Sequence, residues 1–132
     1  MIGETNLQKL LRNMTPMMDD YVYVFCKNVE GVIDAAGIRP LSRFVEDEGS
    51  SFIVKKTEAE RADIDFTYPC RKITLHIHSS LEAVGFLAAI TNALAAKGIS
   101  VNPVSAFYHD HLFVPADRAE DTMEILREFI RN

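Results

Sequence analysis

The stretch KITLHIHSSLEAVGFLAAITNALAAKGISVNPVSAFYHDHLFVP, residues 72–115, decides the fold. Its opening alternates: Ile73, Leu75 and Ile77 point to one face, Thr74, His76 and His78 to the other, the period of a half-buried strand. The period then changes. Ser79-Ser80-Leu81-Glu82 has the form of a capping box, and Val84, Leu87, Ile90 and Leu94 follow at helical spacing. Gly98 after Lys97 reads as a C-terminal cap. Ile99 to Phe107 reads as a strand, His109-Asp110 as a turn, and His111 to Val114 as a return strand stopped by Pro115. Asp117-Arg118-Ala119-Glu120 caps a last helix whose buried stripe is Ala119, Met123, Leu126 and Ile130.

This half therefore runs β-α-β-β-α, one strand short of a ferredoxin-like βαββαβ unit, and no sequence for that strand follows the last helix. Working outward, the first half repeats the order less clearly. Thr5-Asn6-Leu7-Gln8 has capping-box form and opens a short helix, 5–14, ended by Pro16. Tyr21–Cys26 reads as a strand, and 27–41 as an irregular segment where the crossover helix would stand. Arg43–Val45 and Ser51–Val54 flank the acidic turn Glu46–Gly49 as a hairpin. Thr57-Glu58-Ala59-Glu60 caps a helix to about Asp63, and Ile64–Thr67 is a short strand that Pro69 breaks. The expected fold class is α+β, two ferredoxin-like halves, 1–68 degenerate and 69–132 nearly complete.

Composition bounds the function. The 132 residues are 48% hydrophobic and 25% charged with net charge −5, which suits a globular chain able to bury its own core. Lys55-Lys56 and Arg71-Lys72 are the only adjacent basic pairs, so neither nucleic acid nor an anionic membrane is an expected partner. Cys26 and Cys70 form no metal or disulfide framework, although one Cys26–Cys70 bridge stays open. The first residues lack a basic region and an apolar run, and the longest apolar helix is too short for a bilayer, so the expected location is the cytoplasm.

Residues 75–115 resemble a family of small stand-alone bacterial ACT proteins of unassigned function, with HSSLEAVG (78–85) and YHDHLFVP (108–115) as the signature stretches. They are also similar to the regulatory domains of aspartate kinases, where a strand, a short loop, a helix ended by glycine and an asparagine-bearing strand recur; here Ser79–Gly85, Gly98 and Asn102 hold those places. The resemblance implies an ACT fold and allosteric sensing of a small amino acid, with homo-oligomers and an enzyme partner in prospect.

The residues themselves place the ligand site at the start of the second-half helix, at Ser79, Ser80, Leu81, Val84 and Gly85, together with Asn102. A helix N-terminus offers unpaired N–H groups and a positive dipole end to a carboxylate. Gly85, read as inside the helix, either admits a ligand close to the first turn or permits tight packing. Asn102, disfavoured in a strand, bonds either a ligand or a backbone group near Pro103. Ser79 and Ser80 serve as caps, ligand contacts or both.

A metal is the competing reading, because His76, His78, His109 and His111 suit zinc or another divalent ion. With the first and third strands taken as parallel, however, the two pairs fall at opposite ends, ~17 Å apart. No metal and no other cofactor is therefore expected. No nucleophile elbow, Walker loop or GxGxxG is present, and the acidic Glu46-Asp47-Glu48 run reads as a solvated turn, so the chain is expected not to be an enzyme. The expected function is a regulatory module that binds an amino-acid-like ligand, the alternatives being a ligand-free interaction module and a metal-binding protein.

Overall fold

The computed structural model describes residues 6–27, 29–77 and 84–131. Element order is α1 (Leu7–Asn13), β1 (Thr15–Lys27), α2 (Glu30–Ala35), β2 (Ser42–Glu46), β3 (Gly49–Lys55), α3 (Lys56–Arg61), β4 (Thr67–His76), α4 (Phe86–Ala96), β5 (Asn102–Ser105), β6 (Asp110–Pro115), a 3-10 turn (Ala116–Arg118) and α5 (Ala119–Arg131). Two compact units emerge. The first is Asp20–Cys70; the second joins Met1–Asp19 to Arg71–Asn132. The boundary between them runs inside β1 and inside β4.

In the first unit the strand order is β2-β3-β1-β4, with β1, β2, β3 and the start of β4 as the four strands of a βαββαβ unit. Tyr23 lies opposite Lys55 and Cys26 opposite Phe52 in the antiparallel β1–β3 pair, and Glu46 opposite Gly49 closes the expected β2–β3 hairpin. Val24, Cys26, Phe52 and Val54 of the strands pack with Ile33 of α2 and Ile38 just after it, and with Ala59 of α3 and Ile64 just after it. The segment 27–41, expected to be irregular, contains α2. That helix is only six residues long, and Gly31 inside it and the lack of a side-chain cap hid it from the sequence pattern.

In the second unit the order is β5-β6-β4-β1. The fourth strand, absent after the last helix, is supplied by Thr15–Asp19 at the start of β1. Asp19 anchors it: its carboxylate meets Lys72 Nζ at 3.3 Å, and its carbonyl accepts a hydrogen bond from the Arg71 guanidinium. Ile73 and Leu75 of β4, Leu112 and Val114 of β6, Phe86, Ile90 and Leu94 of α4, Leu126 of α5 and Leu10 of α1 form one buried cluster. At the 25 cal/mol per Å² scale, burying each such side chain contributes ~2 kcal/mol before entropy.

Several expected boundaries move. β4 runs through Pro69, because proline removes one N–H donor and does not forbid an extended backbone. α1 is capped by Asn6, whose Oδ1 accepts from Lys9 N at 3.1 Å, and ends before β1 begins at Thr15. β5 is shorter than Ile99–Phe107. In α5 Thr122 is buried, its hydroxyl donating to the Arg118 carbonyl at 2.9 Å, whereas Ile130 remains exposed. Cys26 and Cys70 are free thiols, and Cys70 Sγ donates to the Tyr23 carbonyl at 3.3 Å. Burial pushes the Cys70 thiol up to about 12 and raises Cys26 as well, so neither is a ready nucleophile.

Three helices end in the same way. Gly37 N–H donates to Asp34 O and Ile38 N–H to Ile33 O; Gly98 donates to Ala95 O and Ile99 to Leu94 O; Asp63 donates to Glu60 O and Ile64 to Ala59 O. This is the Schellman pattern, a left-handed residue followed by an apolar one, and Ile38, Ile64 and Ile99 are all buried. The matching ends of α2 and α4 carry the internal repeat that side-chain similarity alone leaves faint. Gly37 and Gly98 sit at φ 67 and 70 with open space around the missing Cβ. Gly37→Ala and Gly98→Ala should each lower stability by about 1 kcal/mol, while Gly31→Ala, at an ordinary helical position, should raise it by roughly 0.5 kcal/mol. Urea unfolding of the three variants checks the difference in sign.

Candidate functional site

The predicted ligand site divides on inspection. Ser79, Ser80 and Leu81 lie outside the described residues, as do His78 and Glu82. Val84 is 84% exposed. Gly85 is not inside the helix: it is the N-cap of α4 in the left-handed conformation, φ 89, with its carbonyl accepting from Ala89 N at 2.9 Å. A Cβ there would meet Leu7 Cδ2 at an ordinary 3.6 Å, so backbone conformation, not space, calls for glycine. Asn102 lies on β5 opposite Phe113 and is exposed, not enclosed by apolar neighbours. Among the described residues no hydrogen bond joins Asn102 to Val84 or Gly85.

Among the described residues no side chain caps the start of α4, and its first turn, Phe86-Leu87-Ala88, carries no acid. The contrast with α1, capped by Asn6, is direct. The first N–H groups of a helix lack intrahelical partners, and its N-terminus is the positive end of the dipole, a setting that suits an anion. Phe86 is buried and Ala88 exposed, so the turn is anchored on one side and reachable on the other.

The histidines are placed differently from expectation. β4 and β6 are neighbours, and the His76 and His109 rings lie 4.5 Å apart, tilted by 52°. The two pairs are therefore not at opposite ends; the expected parallel arrangement was in error, and in the first unit the equivalent β1–β3 pair is antiparallel. His111 Nδ1 is 2.9 Å from Thr74 Oγ1. His109 Nδ1 is buried with no hydrogen-bond partner among the described residues. Also among the described residues, no three His, Cys, Asp or Glu side chains come together as a metal site. Burial holds His111 below the ordinary imidazole range; Lys72, His109 and His76 push the same way and Asp110 opposes them.

Sequence reasoning missed Phe107 and Tyr108. They stand at the β5–β6 turn, 74% and 78% exposed, in edge-to-face contact with ring centroids 5.1 Å apart. The signal was present as two adjacent aromatics before the His109-Asp110 turn, and it was absorbed into an overlong strand.

Taken together, the two units define a tandem ferredoxin-like module, with no catalytic constellation among the described residues. Family models agree. Two, each described as an ACT domain, match residues 2–71 and 66–128, and the chain belongs to the ACT domain family. No curated protein sequence matches. Among solved structures, a Vibrio cholerae protein of unknown function, described as a possible transport protein, is 35% identical, covering 94% of this chain and 95% of its own with TM-score 0.84. An Agrobacterium tumefaciens protein is 18% identical over 89% of each chain, TM-score 0.74. The ligand-free regulatory subunit of aspartate kinase from Thermus thermophilus is 15% identical over 89% of this chain and 97% of its own, TM-score 0.68. The last two establish likeness of fold.

His111 gives a pH prediction. Its folded pKa is lowered, so the neutral form is favoured in the folded state. The stability this contributes is complete above about pH 6.5 and is lost as pH falls through the lower folded value. Thermal unfolding across pH 7.5 to 5 should show Tm falling, and His111→Gln should flatten the curve. Parallel curves would remove His111 from the account.

Proposed function

We propose that the chain is a non-catalytic regulatory ACT module that receives the carboxylate of a small amino-acid-like ligand at the start of α4. The observation that carries this reading is the acid-free first turn of α4, without a side-chain cap among the described residues, behind left-handed Gly85. Its N–H groups are preorganised hydrogen-bond donors for a carboxylate, and the dipole adds typically 0.3–1 kcal/mol. Val84, exposed beside them, offers apolar contact to a ligand side chain. Ser79, Ser80 and Leu81 complete the loop in this reading, and Asn102 belongs to it only if ligand binding brings β5 into contact. Binding then changes the association of the module with itself or with an enzyme partner by the difference in ligand affinity between the two states. The setting in this reading is cytoplasmic; no helix among the described residues is long and apolar enough to cross a membrane.

A thermal-shift screen against the twenty amino acids at millimolar concentration tests it. A ligand at ~100 times its dissociation constant adds about 2.7 kcal/mol, a rise of several degrees for a domain of this size. Ala88→Glu is the matching variant. A glutamate at this exposed first-turn position stabilises the helix through the dipole yet repels an incoming carboxylate. The expected result is an unchanged or raised Tm without ligand and a shift with ligand that disappears. A selective shift that survives Ala88→Glu rules the α4 site out.

A second reading, an interaction module without a small ligand, is favoured by the exposed Phe107–Tyr108 pair. It predicts that Phe107→Ser/Tyr108→Ser changes the mass measured by light scattering; equal masses count against it.

A further inference from the structure

The first unit contains a cavity of about 560 Å³ that the α4 reading does not use. It opens where the end of β1, the start of α2 and the α3–β4 connection meet. Val29 and Val32 line it from α2, Ile64 and Phe66 from the connection. The volume falls within the ~300–1,000 Å³ range of small-molecule sites. An apolar body of aromatic side-chain size fits it.

Three charges also line it: Lys27, Asp63 and Asp65. Among the described residues none of the three forms an ion pair. Two carboxylates against one ammonium leave a net negative lining, which favours a cationic group and disfavours a lone anion.

Asp63 also ends α3. The helix-ending motif uses glycine in the left-handed position after α2 and after α4, at Gly37 and Gly98. After α3 the same position, with the same hydrogen bonds, is held by Asp63 at φ 54. An L-residue is disfavoured there relative to glycine, and the left-handed conformation is one that persists at functional sites. Aspartate is one of the few L-residues that enter this region, so the helix end accommodates a carboxylate that also lines the cavity.

We infer that the cavity lined by Val32, Phe66, Asp63 and Asp65 binds a small molecule with an apolar body and an ammonium group. It is a site separate from the start of α4. The ammonium pairs with Asp63 and Asp65, and the body buries against the valines and Phe66.

Three probes of one carbon skeleton decide it: phenethylamine, phenylalanine and 3-phenylpropionate, titrated calorimetrically into the intact chain. Phenethylamine has no carboxylate, so its binding reports on this cavity and not on the α4 N-terminus. The amine is expected to bind, and 3-phenylpropionate is not. Asp63→Gly provides the control for structure. It restores the residue used at the other two helix ends and should leave Tm unchanged or higher while weakening the amine at least tenfold, and Asp65→Asn should weaken it likewise. Absence of amine binding, equal binding of amine and 3-phenylpropionate, or unchanged amine affinity in both variants would overturn the assignment.

Discussion

The second ferredoxin-like unit does not close its sheet from a continuous stretch of chain, whereas the first does so within Asp20–Cys70. β1 gives Thr15–Asp19 to one unit and Asp20–Lys27 to the other, and β4 is divided between Cys70 and Arg71. A βαββαβ unit without its fourth strand exposes unpaired backbone along an edge of the sheet. In the second unit the chain supplies that strand from Thr15–Asp19, the start of β1. Asp19 shows what holds the arrangement in the second unit, with Lys72 on its carboxylate and Arg71 on its carbonyl. In the first unit the corresponding ties are Cys70 to the Tyr23 carbonyl and the Phe25–Tyr68 ring contact.

That constraint bears on function. With the fourth strand supplied internally, a second copy is not required to cover a missing edge, so the case for self-association rests on exposed side chains such as Phe107 and Tyr108. It also fixes the direction of β4, whose end leads through 77–85 to the start of α4. Buried Phe86, Ile90 and Leu94 hold that helix against the sheet. A helix held in this way has the N–H groups of its first turn oriented before a ligand arrives, which limits the ordering cost of binding.

Much of the second unit was legible. Strict alternation in β4 and the 3.6-residue stripe of α4 gave element type, and Gly98 gave the end of α4. The start of α4 was misplaced because Ser79–Glu82 has the form of a cap, yet Gly85 in the left-handed conformation resets the helix to Phe86. The extended reaches of β1 and β4 were not legible. Thr15–Asp20 has no alternation, Pro69 interrupts the other, and both become strands through pairing with distant residues. α2 escaped because six residues with an internal glycine make no periodic signal. The histidine geometry failed for a different reason: the sequence located the residues correctly, and strand direction, a tertiary property, was assigned wrongly. Asp63 marked only the end of a helix in the sequence and Asp65 lay within the short strand; neither carried a signal of the cavity they line.

The central claim is that backbone N–H groups at the start of α4 receive a carboxylate. Amide-resolved NMR tests it most directly: the isotopically labelled chain is titrated with the pooled twenty amino acids at millimolar concentration, then with the same pool as α-amides. The account predicts chemical-shift changes concentrated at Phe86, Leu87 and Ala88 with the carboxylates and none there with the amides. Shifts confined to other residues, or identical responses to both pools, would contradict it.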